Sequence, residues 1–311
     1  MLPPSTRSPW AAFELALVVG ALALDLWWVR GLDNALWRLP IWAAVFFGVG
    51  HALWRHRRDA VGSASAPISS ARAWGEAGVA GLFLATALWV LQLVLAEPYD
   101  ELQPWSFGST PTSQLVWAVS RFGGVVAQQI GLQLFLRPVL LELVPRRGLA
   151  LLLGAAIFGL LHLPSPTLVF VTFAAGGVWL WLYERGQRLA PLVVLHLGLA
   201  ILAEMSLPPR LSWDMRVGYR AYQSAPVYRS LADPEVRALL RYVTSAEFEA
   251  EHPTEQAFLE GLYRDLLDRP PDAEGVASWQ TRLTRTSRAE VARGFVGSEE
   301  FRARRDAAGD R

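Results

Sequence analysis

Side chains able to do chemistry are sparse in the first two thirds of this 311-residue chain, and their spacing stands out. Gln114, Arg121 and Gln128 recur at seven-residue steps, and Gln129, Gln133 and Arg137 at four-residue steps. Both spacings keep side chains near one face of a helix. Farther along, Phe158 stands four residues before His162, His196 sits in an apolar run, and Glu204 follows eight residues later. Paired imidazoles can move protons or hold a divalent metal such as zinc, but a catalytic zinc wants about three protein ligands plus water. His162 and His196 supply two, and Glu204 is the nearest spare carboxylate, on roughly the face of His196 but two turns away. Glutamine copies the shape of glutamate, yet its amide accepts no proton near neutral pH. Losing a general base costs about 10²–10⁴-fold in rate. The plainer alternative is that Gln128, Gln129 and Gln133 hydrogen-bond neighbouring helices, at about 0.6 kcal/mol each, and that each histidine is a satisfied core residue. His51 has no motif around it and reads as structural or interfacial. Arg121 reads as pointing into a bundle or snorkelling.

The elements that would position these residues are membrane helices. Hydrophobic residues make up 52% of the chain, charged residues 18%, and mean hydropathy is +0.25. Residues 1–205 carry 13 Arg and 11 acidic residues, whereas 206–311 carry 16 Arg and 17 acidic residues. Such a split excludes a single soluble globule. A net charge of +1 gives no reason to expect nucleic acid. With no Cys, disulfides and cysteine-ligated metals are excluded, and the complete preference for Arg over Lys reads as codon bias of a GC-rich genome. Crossing a bilayer takes roughly 20 apolar residues. Such stretches lie at 12–29, 38–54, 77–96, 112–136, 148–163, 166–183 and 189–205, so an all-α polytopic bundle of about seven spans is expected. Pro164 and Pro166 divide the uncharged run from Gly148 to Tyr183 into two of them.

Arginine placement predicts the orientation. Arg55, Arg57, Arg58 and Arg72 follow span 2, Arg146 and Arg147 follow span 4, and Arg185 and Arg188 follow span 6. The loop after span 3 has Glu97, Asp100 and Glu101 instead. The N-terminus is then cytoplasmic, and everything after span 7 is extracytoplasmic.

The expected domains are a membrane domain over 1–205, a linker over 206–232, a small soluble helical domain over 233–305 and a tail over 306–311. Trp213, Tyr219, Tyr222 and Tyr228 of the linker suit the headgroup level. Asp233-Pro-Glu offers an N-cap with proline at the first helical position, and Ser287-Arg-Ala-Glu290 fits a capping box. Tyr242-Val-Thr-Ser-Ala-Glu-Phe248 returns 53 residues later as Phe295-Val-Gly-Ser-Glu-Glu-Phe301. Leu262, Tyr263, Leu266, Leu267, Arg269, Pro271, Asp272, Gly275 and Trp279 lie between, in a pattern LYxxLLxR, PDxxG, Trp, SxEF. Over roughly 236–304 this resembles a bacterial domain of unknown function found on secreted and surface-layer proteins, similar to phycobilisome-linker repeats. The resemblance implies a helical interaction module that engages a cell-envelope protein. Tyr263, Leu266, Trp279 and Phe295 read as core and Asp272 as a cap. Calcium at Asp268, Asp272 and Glu274 is a weaker reading, because the alternating oxygen ligands of an EF-hand loop are missing.

Residues 111–205 resemble the core of the CAAX-protease and bacteriocin-processing family of intramembrane proteins, which includes the type II prenyl-protein proteases. Its motifs are EExxxR, FxxxH and HxxxN on successive helices. The second is intact as Phe158 and His162. The third keeps His196 but has Ala200 for its asparagine. The first aligns with Gln128-Gln129-Ile-Gly-Leu-Gln133, so both glutamates and the arginine are glutamine. The resemblance implies that Gln128, Gln129, Gln133, His162 and His196 occupy the catalytic positions and share one cavity, with His162 and His196 as the metal-holding pair if a divalent metal is used. It also implies an intramembrane endopeptidase fold in a bacterial inner membrane. The expected function is a catalytically degenerate membrane scaffold or regulator, in contact with lipid and with a membrane-protein or peptide substrate. An active endopeptidase with a substitute carboxylate is the rival, and a small-solute carrier, for which no inverted repeat is evident, the third.

Overall fold

A computed structural model describes residues 9–28, 36, 38–56, 69–97, 100 and 111–309. Arg57, Arg58 and Glu101 of the charge argument, Val29 at the expected end of span 1, and Asp310 and Arg311 of the tail lie outside the described residues. Among the described residues the chain is all-helical, with apolar membrane helices followed by a soluble helical region. It divides into two compact units.

The first unit holds α1 (Pro9–Trp27), α2 (Arg38–His56), most of α3 (Ser70–Leu95), α4 (Pro111–Ile130), α5 (Arg137–Leu143), α6 (Arg147–Leu160), α7 (Pro166–Glu184) and α8 (Leu189–Ser206). Among the described residues five stretches are long and apolar enough to cross a bilayer: α1, α3, the continuous Pro111–Leu143, α7 and α8. That is fewer than the about seven expected from apolar runs. The other two places do hold helices, but α2 carries Arg38, His51, Arg55 and His56. Helix α6 has 14 residues, about 21 Å at 1.5 Å per residue against a hydrocarbon core of about 30 Å. The fourth span also differs, running on to Leu143 through a π-helical turn at Gly131–Leu136. Pro138 has no N–H to donate backward and its ring crowds the preceding turn, which the wider π turn relieves. Gln133 lies in that turn and is buried.

Buried charges anchor the ends of the first hairpin. Glu14 of α1 is 1% exposed and accepts from Arg55 of α2 at 2.6 and 2.8 Å. His51 Nδ1 lies 2.6 Å from the same carboxylate, a partner that the sequence did not disclose. Arg55 Nη1 also donates to Glu142 of α5 at 2.9 Å, tying the hairpin to the core. At the opposite end Arg38 donates to buried Asp25 at 2.8 Å. Helices α6 and α7 approach closely at two glycines. A Cβ on Gly159 would lie 2.9 Å from the Val169 carbonyl oxygen, and one on Gly176 would lie 3.0 Å from the Phe158 ring.

The second unit gathers Leu95–Glu101, Pro208–Trp213 and Gln223–Arg311. Its main helices are α9 (Pro209–Ser212), the end of α10 (Tyr219–Ser230), α11 (Pro234–Val243), α12 (Ala246–Glu251), α13 (Glu255–Leu267), α14 (Ala273–Leu283), α15 (Arg288–Val296) and α16 (Glu299–Gly309). Asp233, Ser245, Thr254, Asp272 and Ser287 each accept an N–H in the first turn of the helix that they begin. The repeated segments form the same local turn, with Ser245 capping Phe248 and Ser298 capping Phe301, both rings buried. Tyr263, Leu266 and Phe295 are core, and Trp279 stacks on Phe295 with centroids 4.5 Å apart. Tyr228 also belongs to this core, stacked on Trp213, and not to a headgroup layer. Arg237, itself buried, donates to Glu97 at 2.6 Å, and Arg210 donates to Asp100 at 2.7 Å. The segment after α3 is thus part of this unit.

The LYxxLLxR and PDxxG residues meet in one cluster. Arg269 pairs with Glu300 and with Asp272 at 3.0 Å, and lies over the Tyr263 ring. Asp268 pairs with Arg304 at 2.8 Å. Two of the three acids of the calcium reading, Asp268 and Asp272, therefore face arginines, and among the described residues no three His, Cys, Asp or Glu are placed to hold a metal. The Gly275 N–H and then Arg269 hold the Asp272 carboxyl below its ordinary range, and Arg269 does the same for Glu300. A depressed carboxyl pKa contributes stability above the unfolded value that is lost as pH falls through the folded one. Hydrogen-exchange protection across 262–301 should therefore fall as pH drops below about 4, and Arg269→Gln should flatten that dependence. An unchanged acid profile in Arg269→Gln would contradict the assignment.

Candidate functional site

Four helices of the first unit surround a cavity of about 280 Å³. Helix α4 contributes Ser120, Arg121, Gly124 and Gln128, and His162 enters from the turn that ends α6. Apolar walls come from α7, with Leu168, Ala175 and Trp179, and from α8, with Leu199, Ala200 and Ala203. The turn exists because Leu161–Pro164 breaks the helix, and Ser165 then caps α7 by accepting the Leu168 N–H at 3.3 Å.

The two histidines are held differently. His162 Nδ1 lies 2.8 Å from the Phe158 carbonyl oxygen, one helical turn back, which is the contact that the FxxxH spacing provides. The Phe158 ring also meets His162 edge-on, with centroids 5.1 Å apart. His196, buried on α8, stacks on Trp179 at 4.2 Å. Its Nδ1 lies 3.2 Å from Gln129 Nε2, and Gln133 Nε2 donates to Gln129 Oε1 at 3.4 Å. Gln128, His162 and His196 therefore line the cavity together. Gln129 and Gln133 stand behind the wall as a chain of buried amides that ends on His196. Ala200, where the family has asparagine, also lines the space.

Arg121 and Glu204 pair across α4 and α8 at 2.5 Å. Glu204 is thus a counter-ion to Arg121, which also lies 5.8 Å over Trp117. This bears on zinc. The nitrogen and oxygen ligands that line the cavity are two imidazoles, a carboxamide and the hydroxyls of Ser120 and Thr172, and Glu204, the spare carboxylate by spacing, is held by Arg121. That set does not fit a catalytic zinc, which needs about three protein ligands, and no step is assigned to a metal.

Trp179 was missed by sequence reasoning. Its indole N–H is buried without a hydrogen-bond partner beside the cavity. Helix α7 is so uniformly apolar that no periodicity distinguishes this residue. Glu14 was missed too, although His51 and Arg55, four residues apart on α2, signal a partner facing them.

Residues 111–202 match the family model described as type II CAAX prenyl endopeptidase Rce1-like. Residues 240–305 match DUF4214, a domain of unknown function. No curated protein and no solved structure matches the chain. Residues 111–202 of this multi-pass membrane protein are thus similar to the Rce1-like type II CAAX prenyl endopeptidases, and residues 240–305 to DUF4214.

Proposed function

We propose that the chain is a catalytically silent member of this protease family, which holds a membrane polypeptide in its cavity and presents the DUF4214 domain to a cell-envelope partner. The observation that carries the reading is the Gln129 amide on His196. The family resemblance puts proton-accepting carboxylates at 128 and 129, and an amide cannot act as one. Gln128 repeats the change at the cavity wall, and Glu204 is tied to Arg121. What remains is a polar recess with apolar walls, suited to binding. A photo-crosslinking phenylalanine analogue in place of Leu199 tests this directly. Polypeptides trapped there should be full-length, and trapped chains truncated at the contact would contradict the proposal.

The same reading places the protein in a bacterial inner membrane with the second unit outside the cytoplasm. Arg55, Arg146, Arg147, Arg185 and Arg188 lie at one set of helix ends. Glu97 and Asp100, at the other, are held by Arg210 and Arg237 within the same unit as the C-terminal helices. A loop and a domain that share buried ion pairs must share a side of the membrane. His162, Arg121 and Glu204 all lie toward that end of their helices, so the cavity faces the extracytoplasmic half. A reporter fused after Arg311 should be active only outside the cytoplasm. Cytoplasmic activity would reverse the orientation.

A further inference from the structure

We infer that the segment from Trp213 to Gly218 is a strap that closes one side of the cavity and that is pulled open through the second unit. The inference rests on the reading of the cavity as a binding site and concerns its regulation. Met215 and Val217 line the cavity together with Ala200 and Ala203 of α8. Met215 also packs against the small cluster of Leu88, Ala203 and Leu207, which is separate from the main core. The Gly218 N–H donates to the Leu163 carbonyl at 2.8 Å, which stitches the strap to the residue after His162. At the same point the strap meets the end of α1, where a Cβ on Gly218 would overlap the Leu26 carbonyl oxygen.

The strap does not hold this shape by its own preference. Trp213 takes φ 52° and ψ 40°, and Met215 takes φ 56°. Both lie in the left-handed region, which glycine enters freely and other residues resist. Two such residues within three positions persist only where the surroundings over-determine them. Here the surroundings are the apolar cluster under Met215 and the hydrogen bond from Gly218. Loss of either frees the segment. The chain reaches the strap from the second unit and returns to it. Pro208–Trp213 and Gln223–Arg311 belong to that unit, whereas Asp214–Tyr222 belongs to the first. Trp213 stacks on Tyr228 with centroids 5.3 Å apart, against the core of the unit that carries the DUF4214 match. Both ends of the strap are therefore fastened in the second unit, and a partner that shifts Trp213 pulls on Met215 two residues away. The strap uses none of the histidines or glutamines of the cavity, so it gates access and not chemistry.

The chain has no Cys, so one introduced thiol reports on one place. Ala203 is 4% exposed and packs with Met215. The full chain carrying Ala203→Cys, in nanodiscs, is treated with a charged methanethiosulfonate, which reaches the thiol only through water. Adding Gly218→Ala puts a side chain on a left-handed residue and should speed labelling about tenfold or more. Met215→Ala with Val217→Ala removes the covering side chains, keeps the backbone and should speed labelling too. It carries the test if circular dichroism shows that Gly218→Ala does not fold. Trp213 lies outside the cavity lining, and Trp213→Ala should raise the rate about threefold or more, the worth of one aromatic stack. Folded variants that all label at the rate of Ala203→Cys alone would overturn the strap. A rate unchanged by Trp213→Ala, with the others raised, would overturn control through the second unit. Polypeptide trapping at Leu199 is a separate readout. Gated labelling with nothing trapped contradicts only the binding reading, and trapping with ungated labelling contradicts only the strap.

Discussion

Replacing Arg55 with leucine should destabilise the membrane unit by about 3–5 kcal/mol, the cost of leaving a buried charge without its partner. Glu14 is the reason. Its side chain is 1% exposed and that of Arg55 is 15% exposed, with contacts of 2.6 and 2.8 Å. Arg55 also reaches Glu142, so its loss uncouples the α1–α2 hairpin from α5. His56, 3.6 Å from Glu142, and His51, 2.6 Å from Glu14, can offset the loss only when protonated. Replacing Glu14 and Arg55 together by leucine should recover much of the loss, since an apolar pair often substitutes for a buried ion pair at little cost. Denaturation in detergent, followed for both variants, checks the sign of that difference. A loss below about 1 kcal/mol in Arg55→Leu, the range of exposed pairs, would contradict the anchoring role.

Restoring the family residues should have the largest effect on chemistry. The combined changes Gln128→Glu, Gln129→Glu, Gln133→Arg and Ala200→Asn should raise peptide hydrolysis about 10²–10⁴-fold above the wild type, the contribution of a general base. The geometry favours this. Gln129 already contacts His196, Gln133 is one turn behind it, and Ala200 lines the same cavity. Two glutamates introduced without Gln133→Arg would repel each other in a buried setting, and one would stay protonated. The pair alone should therefore gain less than the fourfold change. A correctly folded fourfold variant with no gain over the wild type would mean that the helices no longer hold the side chains in a catalytic arrangement.

Much of this site was legible because its spacing is local. Phe158 and His162 are one turn apart, and the peptide carbonyl of the first meets the ring nitrogen of the second. Gln129 and Gln133 follow the same rule. The contact between Gln129 and His196 joins residues 67 positions apart, and only the family resemblance pointed to it. What hydropathy could not supply was pairing. Glu14, Trp179 and the link between Arg121 and Glu204 all lie in apolar runs where single polar residues have no periodic context. Helix lengths were misjudged for a related reason. An apolar run records composition and not where the backbone breaks, so the turn at 161–164 and the π turn at Gly131–Leu136 passed unseen. In the second unit the opposite held, because capping residues announce helix starts locally, and Asp233 and Ser287 cap where their side chains indicate.

Water activation is the step on which the whole account turns, and oxygen-18 reads it directly. Wild-type protein in nanodiscs, incubated with a membrane-protein mixture in H₂¹⁸O, would place one heavy oxygen in the new carboxyl terminus made by each hydrolysis. The account predicts the same labelling for the wild type as for a His162→Ala/His196→Ala double variant, because the glutamines at 128 and 129 leave no carboxylate base beside the histidines. Labelling about tenfold or more above the double variant, well within what a working general base supplies, would contradict it.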